Sequence, residues 1–439
     1  MEKPRRSDIM SPFPCRQSKK VTHAMTDRYP DFSLAYYSSD RKTGELAVID
    51  HAQGEVQVRT LPTEAESSLE KALKPVLVGL DENRRVILLD PASKTLRIQD
   101  NFPVDAFPAH IYSDPKSARD WFMNDGDKQT GNDTLNCGDQ GSSVTVVEHT
   151  NSSQARFLAT ICVGRGHHQA CFSHPSEHAP QVPSQAYISN LKDGSISVIG
   201  NDPADPASYL KVIATINLCE PEKESEMSAP ALPNNAFPHG LVYSPVSGKV
   251  YNLNNGYGTV AVIDPVTHAI ERRFEFKGHS NLFITPDGRY IIGRGADRKS
   301  DPAHVLARLT VLDTRDHSIG DSLILPDIYI SKYFFDPEGR RLYLTTSSSG
   351  SPEQQQNLKT DALLVFELDS LPELKLAKEL RLGSPCGTLE FVQQQGRTRL
   401  ILSSNAGQGE LLMLDADSLE IVRRIAVGEP RSHSRIWLY

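Results

Sequence analysis

The stretch 238–276, PHGLVYSPVSGKVYNLNNGYGTVAVIDPVTHAIERRFEF, reads as four short strands separated by turns, and it decides the fold. PHGLVYS and KVYNLN flank the turn PVSG, TVAVID follows the glycines of NGYG, and AIERRFEF follows the turn opened by Asp264 and Pro265. The strand segments are rich in β-branched and aromatic residues, with Gly, Pro, Asn and Asp between them, as an antiparallel four-stranded sheet requires. The third of these strands recurs down the chain. It is ELAVID at 45–50, RVILLD at 85–90, SVTVVE at 143–148, SISVIG at 195–200, LTVLD at 309–313, ALLVFE at 362–367 and ELLMLD at 410–415. Successive copies end 40 to 64 residues apart, the period of propeller blades.

Working outward, the same grammar passes through SNLFITPDGRYIIG from Ser280 and ISKYFFDPEGRRLYLTT from Ile330. The chain begins with what read as the second to fourth strands of a blade (SLAYYSS, ELAVID, EVQVRTL) and ends on a lone strand, HSRIWLY, from His433 to Tyr439. The expected fold is therefore all-β: a closed β-propeller of four-stranded antiparallel blades, with the C-terminal strand closing the first. Closure removes exposed sheet edges. Eight blades are expected. Seven is the alternative, because PTEAESSLEKALK at 62–74 reads as a capped helix where the second blade needs an inner strand.

One propeller domain, 29–439, follows a basic tail, 1–28, whose composition predicts disorder. No signal peptide or membrane-length apolar run is visible, so the sequence predicts a cytoplasmic protein without a membrane partner. A net charge of −8 at a pI of about 6.0 argues against nucleic acid. Six cysteines (Cys15, Cys137, Cys162, Cys171, Cys219, Cys386) show neither CxxC pairing nor zinc spacing, and read mostly as reduced core residues. Phosphate loops, nucleophile elbows and HExxH are missing. In NDGDKQTGND (124–133), Asp125 and Asp127 match two positions of a calcium loop, but the glycine and glutamate that complete one are absent, so an acid-rich solvated loop is the preferred reading.

The histidines follow the blades. Innermost strands line a propeller's axis, so residues near their starts converge from distant parts of the sequence. His168 takes the register of His239, and Cys386 in PCG is aligned with it too. His110 and His279 lie one residue from that register, and His433 opens the closing strand. Imidazole suits copper, iron or zinc, and no carboxylate shares these positions. The competing reading is structural, with each ring bonding a neighbouring blade's backbone, and it is preferred for His149, His178, His268, His304 and His317.

PHGLVYSP followed by GTVAVIDPVTH resembles the YVTN-type propeller repeats from about residue 33 onward. The pair His167-His168, with axial histidines from other blades, resembles the copper propellers, namely nitrous oxide reductase and thiocyanate dehydrogenase. That resemblance implies copper, with iron as the alternative, held by His110, His168, His239, His279 and His433, with His167 a ligand or a donor beside one. It also implies redox chemistry on a small molecule. Lys332 and Asp125 would steer an anionic substrate or move protons, and Cys386 would join the catalytic set. The haem propeller of cytochrome-type nitrite reductase and its cofactor-assembly relatives are similar in blade count and a few histidines. They supply the alternative function, a non-catalytic scaffold for a partner protein or a tetrapyrrole.

Overall fold

The computed structural model describes the strand backbones between 34 and 103 and, from 108 on, the chain apart from 115, 125–136, 138–140, 152–153, 225–229, 395, 405–408, 428–432 and 439. Side chains before 110, at 150–155, 167, 168 and 394, and at 433–438 other than Ile436 are likewise outside that description. The tail 1–28, Asp125 and the side chains of His167, His168 and His433 thus lie outside the described residues.

Strands pair in chain order, first to fourth, into antiparallel sheets of four. Six sheets carry described side chains; they open at Pro108–Asp114, His167–Ser173, Pro238–Ser244, Asn281–Ile284, Ile330–Phe335 and Cys386–Gln394. Two more are described by backbone. One runs from Ser68–Glu70 to Ile98–Pro103, and in the other His433–Leu438 pairs with Leu34–Ser39, Ser39 opposite His433. The expected helix at 62–74 is corrected: Ser68–Glu70 is a strand hydrogen-bonded to Val76–Gly79. Helical periodicity there yields to a strand that completes a sheet. Among the described residues the only helical pieces are Pro352–Gln355 and a 3-10 turn at Pro221–Lys223.

The recurring acid at the end of the third strand has a physical reason. Asp264 accepts the Val266 and Thr267 N–H groups at 2.8 Å each, closing the turn to the fourth strand, and also takes the ammonium of Lys249, which opens the second strand. Asp313 pairs in the same way with Arg289, and Asp415 with Arg399. Each pair fastens two neighbouring strands at one end of the sheet. At Gly200 the acid is replaced, and that residue is held instead by its N–H donating to the Lys211 carbonyl.

The core lies between sheets. Tyr187, Val198, Leu241 and Val250 fill the gap between the sheets opening at His167 and Pro238. Tyr251, Val262, Leu282 and Ile291 fill the next, and Tyr343, Leu363, Leu400 and Leu412 do so further on. Second and third strands are buried on both faces, as in Gln185–Asn190 and Ser195–Gly200, so they read as continuous apolar runs, whereas fourth strands such as Ile270–Glu275 are largely exposed. First strands of consecutive sheets pack side by side.

The cysteine expectation is half corrected. Cys171, Cys219 and Cys386 are buried free thiols, whereas Cys137 and Cys162 form a disulfide. The bond ties the end of a fourth strand to the loop that carries Cys137, two sites brought together by the fold and not by any spacing rule.

Candidate functional site

Among the six sheets with described side chains, every first strand but one opens irregularly. Register shifts fall between Pro108 and His110, His167 and Ala170, Pro238 and Leu241, Ile330 and Lys332, and Cys386 and Leu389. Such bulges re-aim side chains. His239 lies inside one, followed by Gly240 at φ +116°, where a Cβ would meet the Leu282 nitrogen at 2.8 Å. Only glycine lets the chain pass that close to the next sheet.

These openings converge. Gln169 donates from its side-chain nitrogen to Asn281 Oδ1 at 3.1 Å, two sheets away, and its Oε1 accepts the Leu241 N–H at 2.8 Å. One amide thereby links three consecutive first strands. His239 bonds the Ser280 backbone of the next sheet; burial holds its ring below the ordinary histidine value, and the charge of Arg294 and the nearby His110 add to that. A neutral imidazole results, the form that coordinates metals. His110 and His239 are thus brought into one neighbourhood.

The other candidates are held differently. His279 precedes its strand and points sideways: one ring nitrogen contacts the Phe276 carbonyl at 3.2 Å and the other the Thr310 hydroxyl at 2.8 Å, with Phe276 stacked on the ring. Burial pushes its pKa down to about 4. As placed, both donors are committed to its own sheet. Cys386 stands opposite Ser404 as Pro238 stands opposite Asn254, so Gly387 and not Cys386 takes the His239 register. Burial pushes the Cys386 thiol up to about 12, which leaves it protonated near neutrality and ill-suited as a nucleophile. Lys332 is half-buried opposite Thr345, one position past the register of His239. Among the described residues no group of three or more His, Cys, Asp or Glu side chains is placed to hold a metal ion. Four histidines expected to be structural have structural partners: His149 with Asp120, His268 with Gln185, His304 with Asp327 and His317 with Tyr251.

Sequence reasoning missed Arg294. One second-strand residue stands opposite the opening residue of each first strand: Asn124, Asn190, Asn254, Arg294, Thr346 and Ser404. Five are small and polar; the sixth is a guanidinium. The signal was legible in IIGRGAD, where a cation between two glycines interrupts a buried strand. Beside it opens a cavity of about 240 Å³ lined by Asn255, His279, Ser280, Arg294, Arg298 and Tyr329 together with the backbone around Gly278 and Gly295.

Comparison with solved structures fits this architecture. The chain superposes on the dihydro-heme d1 dehydrogenase NirN, in complex with DHE, with a TM-score of 0.57 at 13% identity, over 92% of this chain and 74% of that one. The fold is a β-propeller. Apo AztD from Citrobacter koseri matches at 0.53 and 13% identity over 93% and 98% of the two chains. The periplasmic gluconolactonase PpgL of Pseudomonas aeruginosa matches at 0.51 and 13% over 92% and 98%. No protein-family model and no curated protein sequence matches the chain. At such identities the propeller is shared with proteins of different function, and the fold alone is shown.

Proposed function

We propose that the protein is an eight-bladed propeller, closed by the pairing of His433–Leu438 with Leu34–Ser39, that binds a small molecule at the mouth where the first strands open. The observation that carries this is the cavity of about 240 Å³ lined by His279, Ser280, Arg294 and Arg298, with His239 bonded to the Ser280 backbone beside it, a concave site with a few convergent polar groups. The propeller neighbours NirN, in complex with DHE, and the gluconolactonase PpgL support it.

A metal-dependent oxidoreductase, with copper or iron, is the sharper reading. His239 fits it, being held neutral, and His110 stands near; His168 and His433 would add donors by register. His279 fits only if its ring leaves Thr310. Bound metal would supply electron transfer, while these residues would place the substrate beside it. The scaffold reading, in which the mouth holds a tetrapyrrole or a partner protein, keeps the same site without turnover. The Cys137–Cys162 disulfide supports an oxidising compartment in place of the cytoplasm expected from the sequence.

Elemental analysis and an absorption spectrum of protein from its native host separate these readings. Stoichiometric copper or iron, lost in His239→Ala while the fold survives, supports the oxidoreductase. A porphyrin-like spectrum without free-standing metal supports the scaffold. Colourless, metal-free protein with no co-purifying compound contradicts the small-molecule site itself.

A further inference from the structure

Arg294 is a part-buried cation without a counter-charge among the described residues. Its Nη1 donates to the Ile330 carbonyl at 2.7 Å and, more weakly, to that of Ser331 at 3.4 Å. Its Nε is sealed from water and bonds nothing, and no carboxylate among the described residues forms an ion pair with it. The nearest acid in sequence, Asp297, spends its carboxylate on the Lys299 and Ser300 N–H groups and the Ser300 hydroxyl. A charge withdrawn from water without a counter-ion is costly, and proteins retain one where something else neutralises it. Arginine holds its proton under such conditions, so the charge persists.

The surroundings suit an oxyanion. Gly293 and Gly295 flank Arg294, and a Cβ at Gly295 would lie 1.8 Å from the Gly278 carbonyl oxygen, so at this wall backbone packs on backbone. Arg298, exposed at the rim with its guanidinium over the Tyr329 ring, adds a second positive charge. Ser280 and Asn255 contribute hydroxyl and amide donors to the same walls. A guanidinium fork matches the planar geometry of carboxylate and the tetrahedral edge of phosphate.

We propose that this cavity is an oxyanion subsite, in which Arg294 takes the carboxylate or phosphate group of the ligand and Arg298 guards its entrance. The proposal rests on the ligand-binding reading of the mouth and names the chemistry of what binds there. At other register positions the amide nitrogens are spent internally. Asn190, for example, donates to Ser195 and Ser197, and Asn254 to Thr259 and Glu220.

Calorimetric titration of the full chain with acetate, inorganic phosphate and neutral acetamide, at an ionic strength fixed with sodium chloride, tests it. Acetate or phosphate is expected to bind while acetamide does not, and the better of the two identifies the group. Arg294→Gln is expected to weaken that anion by about tenfold or more, and Arg298→Gln by less. The Arg294→Gln protein should melt at or above the parent's temperature without ligand, because an uncompensated charge has gone. Should it fail to fold, Arg294→Lys, which keeps the charge and loses the fork, is expected to weaken the anion measurably. Anion binding that is unchanged in both variants overturns the proposal, as does a parent that binds neither anion. A compound that co-purifies from the native host and binds Arg294→Gln as tightly as the parent also overturns it, while leaving the ligand site standing.

Discussion

At the residue scale, burial decides what each histidine can do. His279 is 6% exposed, and its pKa falls from 6.5 to about 4 because the charged ring is desolvated. The folded state therefore binds fewer protons than the unfolded one, and stability falls as pH drops from 6.5 toward 4. Its contribution, full above the unfolded value, amounts to about 3 kcal/mol lost across that window. Chemical denaturation at pH 7 and pH 4.5 should show this loss in the parent and a shallower pH dependence in His279→Asn, whose amide can keep one of the two bonds. An equal slope in both would place the acid sensitivity elsewhere. His239 was legible as a candidate from its place in PHG, whereas Arg294 stands on a second strand, at a register that only its pairing with Asn281 reveals.

At the scale of elements, turns and strand patterns were readable because the physics is local: the acid that ends each third strand serves the turn beside it. Contacts between sheets were not readable. Asp114, 1% exposed, accepts from His174 of the next sheet at 2.9 Å and from Asn201 at 2.8 Å, while Arg119 reaches the Asn201 side chain at 2.6 Å. These partners lie 60 or more residues apart in sequence, so no window contains them. Asp114→Ala strands buried donors on both sheets and should cost about 2–4 kcal/mol in urea unfolding; a loss within experimental error would show that water replaces the carboxylate. The helix expected at 62–74 failed for the same reason, since pairing with Val76–Gly79 outweighs local propensity. The disulfide adds a further test. Thiol titration of unfolded protein should find two fewer thiols before reduction than after, and Cys162→Ser should lower stability by about 3 kcal/mol, the cross-link entropy of a loop of 25 residues. Equal counts before and after reduction would remove the bond.

At the scale of the whole molecule, the first and last described strands pair: Leu34 stands opposite Leu438 in one sheet, and Ile436 packs with Val392, Ile401 and Leu411 of the preceding sheet. Removing 433–439 deletes that strand and bares an edge as well as an apolar face. The truncated chain should aggregate or melt far earlier; a monomer with the parent's melting temperature would contradict closure. Spacing alone revealed the repeat, because each blade buries its faces on its neighbours and so keeps a common length. The function of the mouth depends on which side chains the bulged openings aim inward, and a sequence read in one dimension does not show that. The most direct measurement is a crystal structure of the native-host protein. The account predicts ordered density for a small molecule in the mouth, with an oxyanion against Arg294 and the remainder reaching toward His239 and His110. A well-ordered mouth holding water alone, with Arg294 turned to a carboxylate of its own chain, would contradict it.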